Sequence, residues 1–266
     1  MKTFTLGRRL AAQALAALLL MAGTASAAEL NVMISAGFAE AYAELAPAYE
    51  RATGHHLILT RGPSMGNSPE AIPTRLQRGE PADVLIMVGA AVDELERKGL
   101  VQPASKVDLA RSQIGMVVRA GAAQPDIASV ASLRRTLLEA KSIAYSDSAS
   151  GLYLSNTLFP QLGVAQQLKG KSREIKGPPA GEPVAAVVAR GEAEIGFQQV
   201  SELLHVAGIS YVGPIPAELQ QPTFYSAAIA SGTRQPEAAS ALVRFLASSE
   251  AAPALKKSGL APLAAP

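Results

Sequence analysis

The 266-residue chain contains no cysteine and no tryptophan, and only 5% of its residues are aromatic. The absence of cysteine excludes disulfides, thiolate metal sites, a cysteine nucleophile and a lipid-modified cysteine. The three histidines, His55, His56 and His205, have no partners at metal-ligand spacing, and no H-E-x-x-H, Walker A or dinucleotide-binding motif occurs. We therefore expect a protein without a metal or cofactor, with a core built from Ala, Val, Leu and Ile.

Long apolar runs are absent beyond the N-terminus. Residues 1–27 combine three basic residues, an almost wholly apolar run over 10–22 and a small-residue cleavage site at 25–27, which is the pattern of a secretory signal peptide. The apolar run is shorter than the about 20 residues that a membrane-spanning helix requires. We predict a cleaved signal peptide, a periplasmic location and no membrane anchor.

Neither sign of charge predominates. The chain has 24 Lys and Arg against 22 Asp and Glu, but the predicted signal carries three of the basic residues, which leaves 21 against 22 and a net charge of −1. This balance gives no electrostatic support for binding to nucleic acid or to a membrane surface. The remaining length of roughly 240 residues suits one large or two medium domains.

Short β-rich runs alternate with segments of helical periodicity along the chain. The predicted strands are Leu30–Ile34, His56–Thr60, Ala82–Val88, Ile114–Val118, Ser142–Tyr145, Glu194–Gln198, Ser210–Val212 and Thr223–Ala230. The predicted helices are Phe38–Thr53, Glu70–Arg78, Ala91–Lys98, Leu133–Ala140, Leu152–Leu162, Pro183–Arg190, Pro236–Ser248 and Ala251–Ser258. This alternation predicts an α/β fold with right-handed βαβ units and largely parallel sheets.

Polar loops follow three of the predicted strands. They begin at Ser35, at Arg61 and at Ser146, and each leads into a predicted helix. A helix N-terminus carries unpaired N–H groups and partial positive charge, so such a loop can bind an anion. The three loops together predict an anion-binding cleft.

From Leu30 to about Pro262, the order of these segments resembles the type II periplasmic substrate-binding proteins, especially the molybdate-binding branch. The shared marks are Tyr49-Glu-Arg-Ala-Thr-Gly54, Gly79-Glu-Pro-Ala-Asp83, Arg190-Gly-Glu-Ala-Glu-Ile-Gly196 and the helix Pro236–Leu246. The resemblance implies two α/β lobes joined by two crossovers, with a ligand cleft between them. Residues 28–110 and 225–266 would form the first lobe, and residues 111–224 the second.

Several residues of the polar loops differ from the molybdate-binding pattern, and these differences change the ligand that we predict. Members of that branch hold a tetrahedral dianion with neutral donors, and Ser35 and Ser64 occupy the places of two such serines. Here Arg61, Ser68 and Arg75 are added in or near the second loop. A guanidinium matches a planar carboxylate well. We therefore predict a small di- or tricarboxylate as the ligand, ahead of an oxyanion such as molybdate.

Four residues of the second predicted lobe complete the candidate site. Ser148, Ser150 and Gln198 are candidate ligand contacts, and Tyr153 is a weak candidate for a catalytic proton donor or acceptor. Alternatives remain open for all candidates. The serines could instead cap helices or form turns. The arginines could be solvated surface charges, and Tyr153 could pack in the core.

The same departures also resemble those of the periplasmic aconitate isomerases, which are related to the molybdate-binding proteins. This resemblance implies interconversion of trans- and cis-aconitate by an allylic proton shift. Such a reaction needs a base beside an acidic C–H group and donors that stabilise carbanion-like charge. The sequence does not identify the base. The alternative is a binding protein that delivers a small carboxylate or an oxyanion to an ABC permease.

The carboxylate prediction can be tested at Arg61. Replacing Arg61 with Ala should weaken the binding of a carboxylate ligand about tenfold or more, on the order of 1.5–3 kcal/mol, because a charged hydrogen bond is lost. Calorimetric titration of both proteins with trans-aconitate would measure the change. An unchanged affinity would remove Arg61 from the site.

Overall fold

The computed structural model describes residues 27–263, so nearly all of the predicted signal peptide lies outside the described residues. The described chain forms eleven strands: β1 (Glu29–Ile34), β2 (His56–Arg61), β3 (Val84–Val88), β4 (Val107–Ser112), β5 (Ile114–Arg119), β6 (Ile143–Ser146), β7 (Ser172–Ile175), β8 (Ile195–Gln199), β9 (Ile209–Pro214), β10 (Thr223–Ile229) and β11 (Ala261–Pro262). They form two separate sheets, each covered by helices.

The α-helices are α1 (Ala39–Thr53), α2 (Ile72–Gln77), α3 (Gly89–Arg97), α4 (Val130–Glu139), α5 (Ala149–Tyr153), α6 (Phe159–Gln161), α7 (Ala165–Leu168), α8 (Val184–Ala189), α9 (Val200–Leu203), α10 (Pro236–Ala247) and α11 (Ala252–Lys257). Short 3₁₀ segments lie at Ala36–Phe38, Ala217–Leu219 and Ser249–Ala251, and a π-helical segment lies at Leu154–Leu158. Among the described residues, every helix is too short or too polar to cross a membrane.

The first lobe is built on the six-stranded sheet, in the order β11-β4-β10-β3-β1-β2. Strand β1 pairs in parallel with β2 and β3, whereas β10 is antiparallel to both β3 and β4. Both faces of β1 are buried, since Val32 and Ile34 belong to one apolar cluster and Met33 to another on the opposite face. Burial on both faces explains why the strand is apolar without interruption from Val32 to Ile34.

The second lobe is built on the five-stranded sheet, in the order β7-β6-β8-β5-β9. Strand β6 pairs in parallel with β7 and β8, and β5 is antiparallel to β8 and β9. The chain passes between the sheets at Gln113, and again between Pro214 and Thr223. Strands β4 and β10 therefore each extend two residues past the lobe boundaries expected from the sequence.

The eight predicted strands are present, with ends that differ by two residues or fewer. The sequence missed β4, whose alternation is interrupted by Asp108 and Arg111, and the short strands β7 and β11. The expectation of largely parallel sheets was wrong. Each sheet is mixed, because β5 and β10, the strands that enter after a crossover, run antiparallel to their neighbours.

A buried carboxylate ties together three parts of the first lobe. Asp83, just before β3, accepts hydrogen bonds at Oδ2 from the Asn31 backbone N–H (2.7 Å) and side-chain amide (3.2 Å). Its Oδ1 accepts a 2.5 Å hydrogen bond from the Thr233 hydroxyl in the turn that precedes α10. Asp83 therefore links β1, β3 and the return of the chain from the second lobe.

We predict that Asp83→Ala lowers the free energy of unfolding by about 2–4 kcal/mol, because several donors lose a charged acceptor. Urea unfolding would measure the change. Asp93→Ala is the matched control, since the Asp93 carboxylate pairs only with Lys106 and is half exposed; it should cost less than about 1 kcal/mol. Equal losses in the two variants would contradict the role given to Asp83.

Candidate functional site

The deep cleft lies between the lobes, where β1, β2, β6 and β8 end. Ligands in open α/β sheets bind at the carboxyl ends of the strands, and the predicted polar loops begin there. The polar lining of the deep cleft consists of Ser35, Ser64 and Tyr225 from the first lobe and Ser146, Asp147, Ser148, Gln198, Gln199 and Glu202 from the second. Two of these side chains are acidic, and no lysine or arginine is part of this lining.

The two serines of the first lobe are available as neutral donors. Ser35 is only 5% exposed, and its hydroxyl has no hydrogen-bond partner and caps no helix. Ser64 accepts a 3.1 Å hydrogen bond from the Val88 backbone N–H, so its own hydroxyl hydrogen remains free to donate. A buried polar group without a partner is unfavourable unless something occupies the site. Both serines therefore offer hydroxyl groups to a ligand.

The serines of the second lobe form a hydroxyl cluster. The Ser146 hydroxyl lies 2.7 Å from that of Ser148 and 3.0 Å from that of Ser150. Ser148 stands at the N-cap position of α5, but its side chain makes no capping hydrogen bond. Ser146 and Ser148 line the deep cleft, whereas Ser150 lines a neighbouring cavity of about 540 Å³, here called the chamber, whose walls include Val88, Tyr153 and Phe224. The cluster can either donate to or accept from a ligand, because hydroxyl groups rotate.

Gln198 is buried at the end of β8, and both the oxygen and the nitrogen of its side-chain amide form hydrogen bonds. Its Oε1 accepts a 3.2 Å hydrogen bond from the Val184 backbone N–H, and its Nε2 donates a 2.6 Å hydrogen bond to Glu202 Oε2. One Nε2 hydrogen remains for a ligand. The adjacent Gln199 donates to the Thr223 hydroxyl and lines the same cleft.

Glu202 provides the cleft with a titratable group that the sequence analysis overlooked. It lies on the short helix α9, directly after β8, and lines the deep cleft. The residue is partly exposed, and it borders both the deep cleft and a neighbouring cavity. Burial raises the pKa of Glu202 to about 7, opposed by the hydrogen bond from Gln198 and assisted by the negative charge of Asp147. Glu202 can therefore take up or release a proton near neutral pH.

Tyr225 of β10 also lines the deep cleft. Burial, and secondarily the charge of Glu202, raise the pKa of its hydroxyl well above the usual value of 10. A methyl group at Gly37 would overlap the Tyr225 hydroxyl, at a distance of only 1.7 Å. Glycine at this position therefore allows the phenol to lie directly against the segment that follows Ser35. The phenol stays protonated at neutral pH and is a hydrogen-bond donor.

Arg61 lies at the entrance to the cleft rather than inside it. Its exposed side chain lines a second cavity of about 120 Å³, together with Glu40, His205 and Glu202. We call this cavity the outer mouth. Glu202 borders both the outer mouth and the deep cleft. The predicted contact between Arg61 and a ligand stays a prediction, and the position of the residue is compatible with it.

Two other predicted contacts of the second loop have different surroundings. The guanidinium of Arg75 donates to the carboxylate of Glu80 (2.7 Å) and to the backbone oxygen of Glu70 (3.0 Å). Ser68 is partly exposed and does not line the deep cleft or the outer mouth. The structure thus brings Ser35 and Ser64 together in the cleft but leaves Arg75 and Ser68 outside it.

Tyr153, the weak catalytic candidate, lines the chamber next to the deep cleft. Its hydroxyl donates a 2.7 Å hydrogen bond to the backbone oxygen of Leu219, and its ring packs against the core of the second lobe. Burial raises the pKa of this hydroxyl. The hydroxyl is thus held by a backbone acceptor, and the groups free for proton transfer are those of the deep cleft.

One signal in the sequence could have indicated Glu202. It lies four residues after Gln198, in the first helical turn that follows a buried strand, close to the strand end where a ligand cleft was expected. An anionic ligand favours hydroxyl, amide and cationic side chains at strand ends, so a glutamate there did not suggest a ligand contact. Tyr225 gave no such signal, since it lies within an apolar strand. Within residues 27–263, no three side chains form a cluster able to hold a metal ion.

Comparison with known proteins identifies relatives over almost the whole chain. Residues 30–261 match the sequence profile of the bacterial extracellular solute-binding proteins. An aconitate isomerase from Pseudomonas sp. is 51% identical over 261 residues, which cover 97% of this chain and 98% of that protein. The molybdate-binding protein ModA of Azotobacter vinelandii is 27% identical, over 90% of this chain and 92% of that protein.

Solved structures support the same architecture. The substrate-binding domain of a putative molybdenum ABC transporter from Clostridium difficile superimposes with a TM-score of 0.68 and 20% sequence identity. The match covers 89% of this chain and all of that domain. At this level of identity the likeness establishes the fold alone: two lobes with a cleft between them.

The burial of Glu202 predicts a pH-dependent stability. Its folded pKa of about 7 exceeds the usual value of 4.5, so the folded protein binds more protons than the unfolded chain between these pH values. The stability that comes from protonated Glu202 is therefore lost as pH rises from about 4.5 through 7. The stability of Glu202→Gln should not fall in this way as pH rises. Its melting temperature should therefore exceed that of the unsubstituted protein at pH 8, but not at pH 4. The exposed Glu218→Gln is the control; if Glu202→Gln follows it at every pH, the Glu202 carboxyl is not buried.

Proposed function

The chain belongs to the bacterial extracellular solute-binding protein family, and we propose that it is a periplasmic isomerase that interconverts trans- and cis-aconitate. One observation carries this proposal: the Glu202 carboxyl, which titrates near pH 7, lies in a cleft that otherwise offers hydroxyl and amide groups. A receptor needs donors for its ligand, whereas an isomerase also needs a base. The relative that is 51% identical and named aconitate isomerase supports the same conclusion.

The reaction is a proton shift between two carbons separated by one carbon atom. Glu202, as carboxylate, removes a proton from the methylene carbon of trans-aconitate. The C–H electron pair forms a new double bond to the central carbon, and the former double bond moves its electrons towards the adjacent carboxylate. Glu202 then returns the proton to the former vinyl carbon, which becomes the new methylene. No oxidant or reductant is consumed, and one base serves both carbons.

The pKa of Glu202 suits this role. A general base is most effective when its pKa lies near the working pH, and the pKa of Glu202 is raised to about 7 mainly by burial. A bound tricarboxylate brings further negative charge, which raises the pKa of a nearby carboxyl group and strengthens the base. An ordinary exposed glutamate would be a much weaker base for a carbon acid.

The other groups of the deep cleft would bind the substrate and stabilise the charge that develops on it. The free hydroxyls of Ser35 and Ser64 can donate to a carboxylate. Tyr225 can donate from a phenol that stays protonated, because its pKa is raised. Donors fixed in a water-excluded site stabilise developing negative charge more strongly than water does. Arg61, at the outer mouth, would bind a third carboxylate.

The lobes must separate for the substrate to enter. The deep cleft encloses about 40 Å³, which is room for roughly three water molecules when each needs 10–15 Å³. A six-carbon tricarboxylate is far larger. Opening moves Glu202 of the second lobe away from Ser35 and Tyr225 of the first, so the full set of catalytic groups is assembled only after closure.

A transport receptor is the second candidate, because the chain shares its fold with molybdate-binding proteins. It would bind a small anion in the periplasm and pass it to an ABC permease. The neutral donors Ser35 and Ser64 favour this function. Asp147 and Glu202 oppose it for a compact dianion such as molybdate, since two carboxyl groups in the same cleft repel such a ligand.

Proton NMR in deuterated buffer, with purified protein and trans-aconitate, would test the proposal. Appearance of cis-aconitate would establish the isomerase, and deuterium at the methylene would report exchange of the transferred proton with solvent. A raised melting temperature without cis-aconitate would indicate a carboxylate receptor instead. If neither is observed, titration with molybdate and tungstate would decide whether the cleft binds an oxyanion.

We predict that Glu202→Gln lowers kcat about 10²- to 10⁴-fold, the range that general acid–base catalysis supplies. Binding of trans-aconitate should persist, because an amide occupies the same space without the proton acceptor. Isomerisation rates and calorimetric titration would separate the two effects. The surface substitution Glu218→Gln serves as the control and should leave both unchanged. A Glu202→Gln enzyme of normal kcat would place the base elsewhere.

A further inference from the structure

Building on the proposed function, we propose that Gln198 is a positioning residue that orients the base Glu202 and sets the pH range in which it works. Gln198 was expected from the sequence to contact the ligand. In the structure, its amide joins the first residue of α8 to the first turn of α9. The side chain is 2% exposed, so water does not compete for these hydrogen bonds.

The orientation of the Gln198 amide follows from its partners. The Val184 backbone N–H can only donate, so the amide atom that faces it at 3.2 Å must be the oxygen. Rotating the amide by 180° would place two donors against each other. The amide nitrogen is therefore directed to the other side, where it donates to Glu202 Oε2 at 2.6 Å. A fixed backbone donor thus determines which group Gln198 presents to the base.

This hydrogen bond has two consequences for Glu202. It engages Oε2 and leaves Oε1 without a hydrogen bond among the described residues, so one defined oxygen is free to take the proton. It also favours the charged carboxylate, which counteracts the effect of burial. Without Gln198, Glu202 would keep its proton to higher pH and would be free to rotate.

The remaining charged and titratable groups around Glu202 do not replace this interaction. From the second lobe, Asp147 adds a negative charge that raises the pKa of Glu202. From the first lobe, Tyr225 faces it across the deep cleft, and Arg61 and Glu40 face it from the outer mouth. His205, in the turn that follows α9, also lines the outer mouth. Among the described residues, Gln198 is the side chain with a hydrogen bond to the Glu202 carboxyl group.

The test uses Gln198→Met, which keeps the length and approximate volume of the side chain but removes its donor. The acid limb of the kcat/KM profile should move to higher pH by about one unit or more, because a hydrogen bond to a charged group is lost. The value of kcat/KM at the high-pH plateau should fall much less in Gln198→Met than it does in Glu202→Gln. Gln198→Asn, whose amide is one methylene shorter and cannot span both partners, should shift the limb in the same direction.

Gln199→Met is the matched control. Gln199 is the next residue of the same strand, is equally buried and lines the same cleft, but donates to Thr223 instead of Glu202. Whatever its effect on the rate, this substitution should leave the acid limb in place. A loss of packing alone would lower the rate of both variants without moving either limb.

A carbon-13 NMR titration of the Glu202 carboxyl, in the unsubstituted protein and in Gln198→Met, separates this inference from the proposed function. A higher titration midpoint in the variant supports the role of Gln198 even if the protein isomerises nothing, in which case the proposed function alone fails. An unchanged midpoint and an unchanged acid limb in an active Gln198→Met enzyme would overturn the inference and leave the isomerase intact. Near-native circular dichroism of each variant establishes that it is folded.

Discussion

The desolvation of one carboxyl group, that of Glu202, is the constraint around which the site is organised. Burial between the lobes disfavours its charged form and brings its pKa to about 7. The hydrogen bond from Gln198 limits this effect, and the charge of Asp147 adds to it. The proposed role of Glu202 as a base depends on this effect of the surrounding protein on its pKa. The same unfavourable burial makes the closed arrangement sensitive to pH.

The two lobes contribute different chemistry to the cleft. The first lobe supplies hydroxyl donors, Ser35, Ser64 and Tyr225, on strand ends and on a strand of one sheet. The second supplies Glu202 and the Gln198 amide that holds it, both at the end of β8. In the proposed function, closure of the lobes would assemble donors and base around the substrate, without any change to the architecture of the fold.

The relationship to the molybdate-binding proteins is clearest in what the cleft retains. Neutral serine donors remain at Ser35 and Ser64, where the resemblance to that branch placed them. The cleft also contains the carboxyl groups of Asp147 and Glu202, and these are unfavourable for a compact dianion. They are tolerable for a larger carboxylate, whose charges can lie away from the base, near Arg61 at the outer mouth. The same cleft thus combines neutral anion donors with carboxyl groups able to exchange protons.

The sequence by itself determined the alternation of strands and helices and the polar loops at Ser35, Arg61 and Ser146, because these depend on local periodicity and on residues next to strand ends. It also predicted the two-lobed architecture, through the ordered resemblance to a family. Only the tertiary structure decided which candidates meet in the cleft. Arg75 forms an ion pair with Glu80, and no sequence motif indicates this contact. Tyr225 lines the cleft because β10, which follows the second lobe in the chain, pairs with β3 of the first lobe. The raised pKa of Glu202, on which its proposed role as a base rests, also comes from the tertiary structure, because burial and the charge of Asp147 depend on segments distant in the chain.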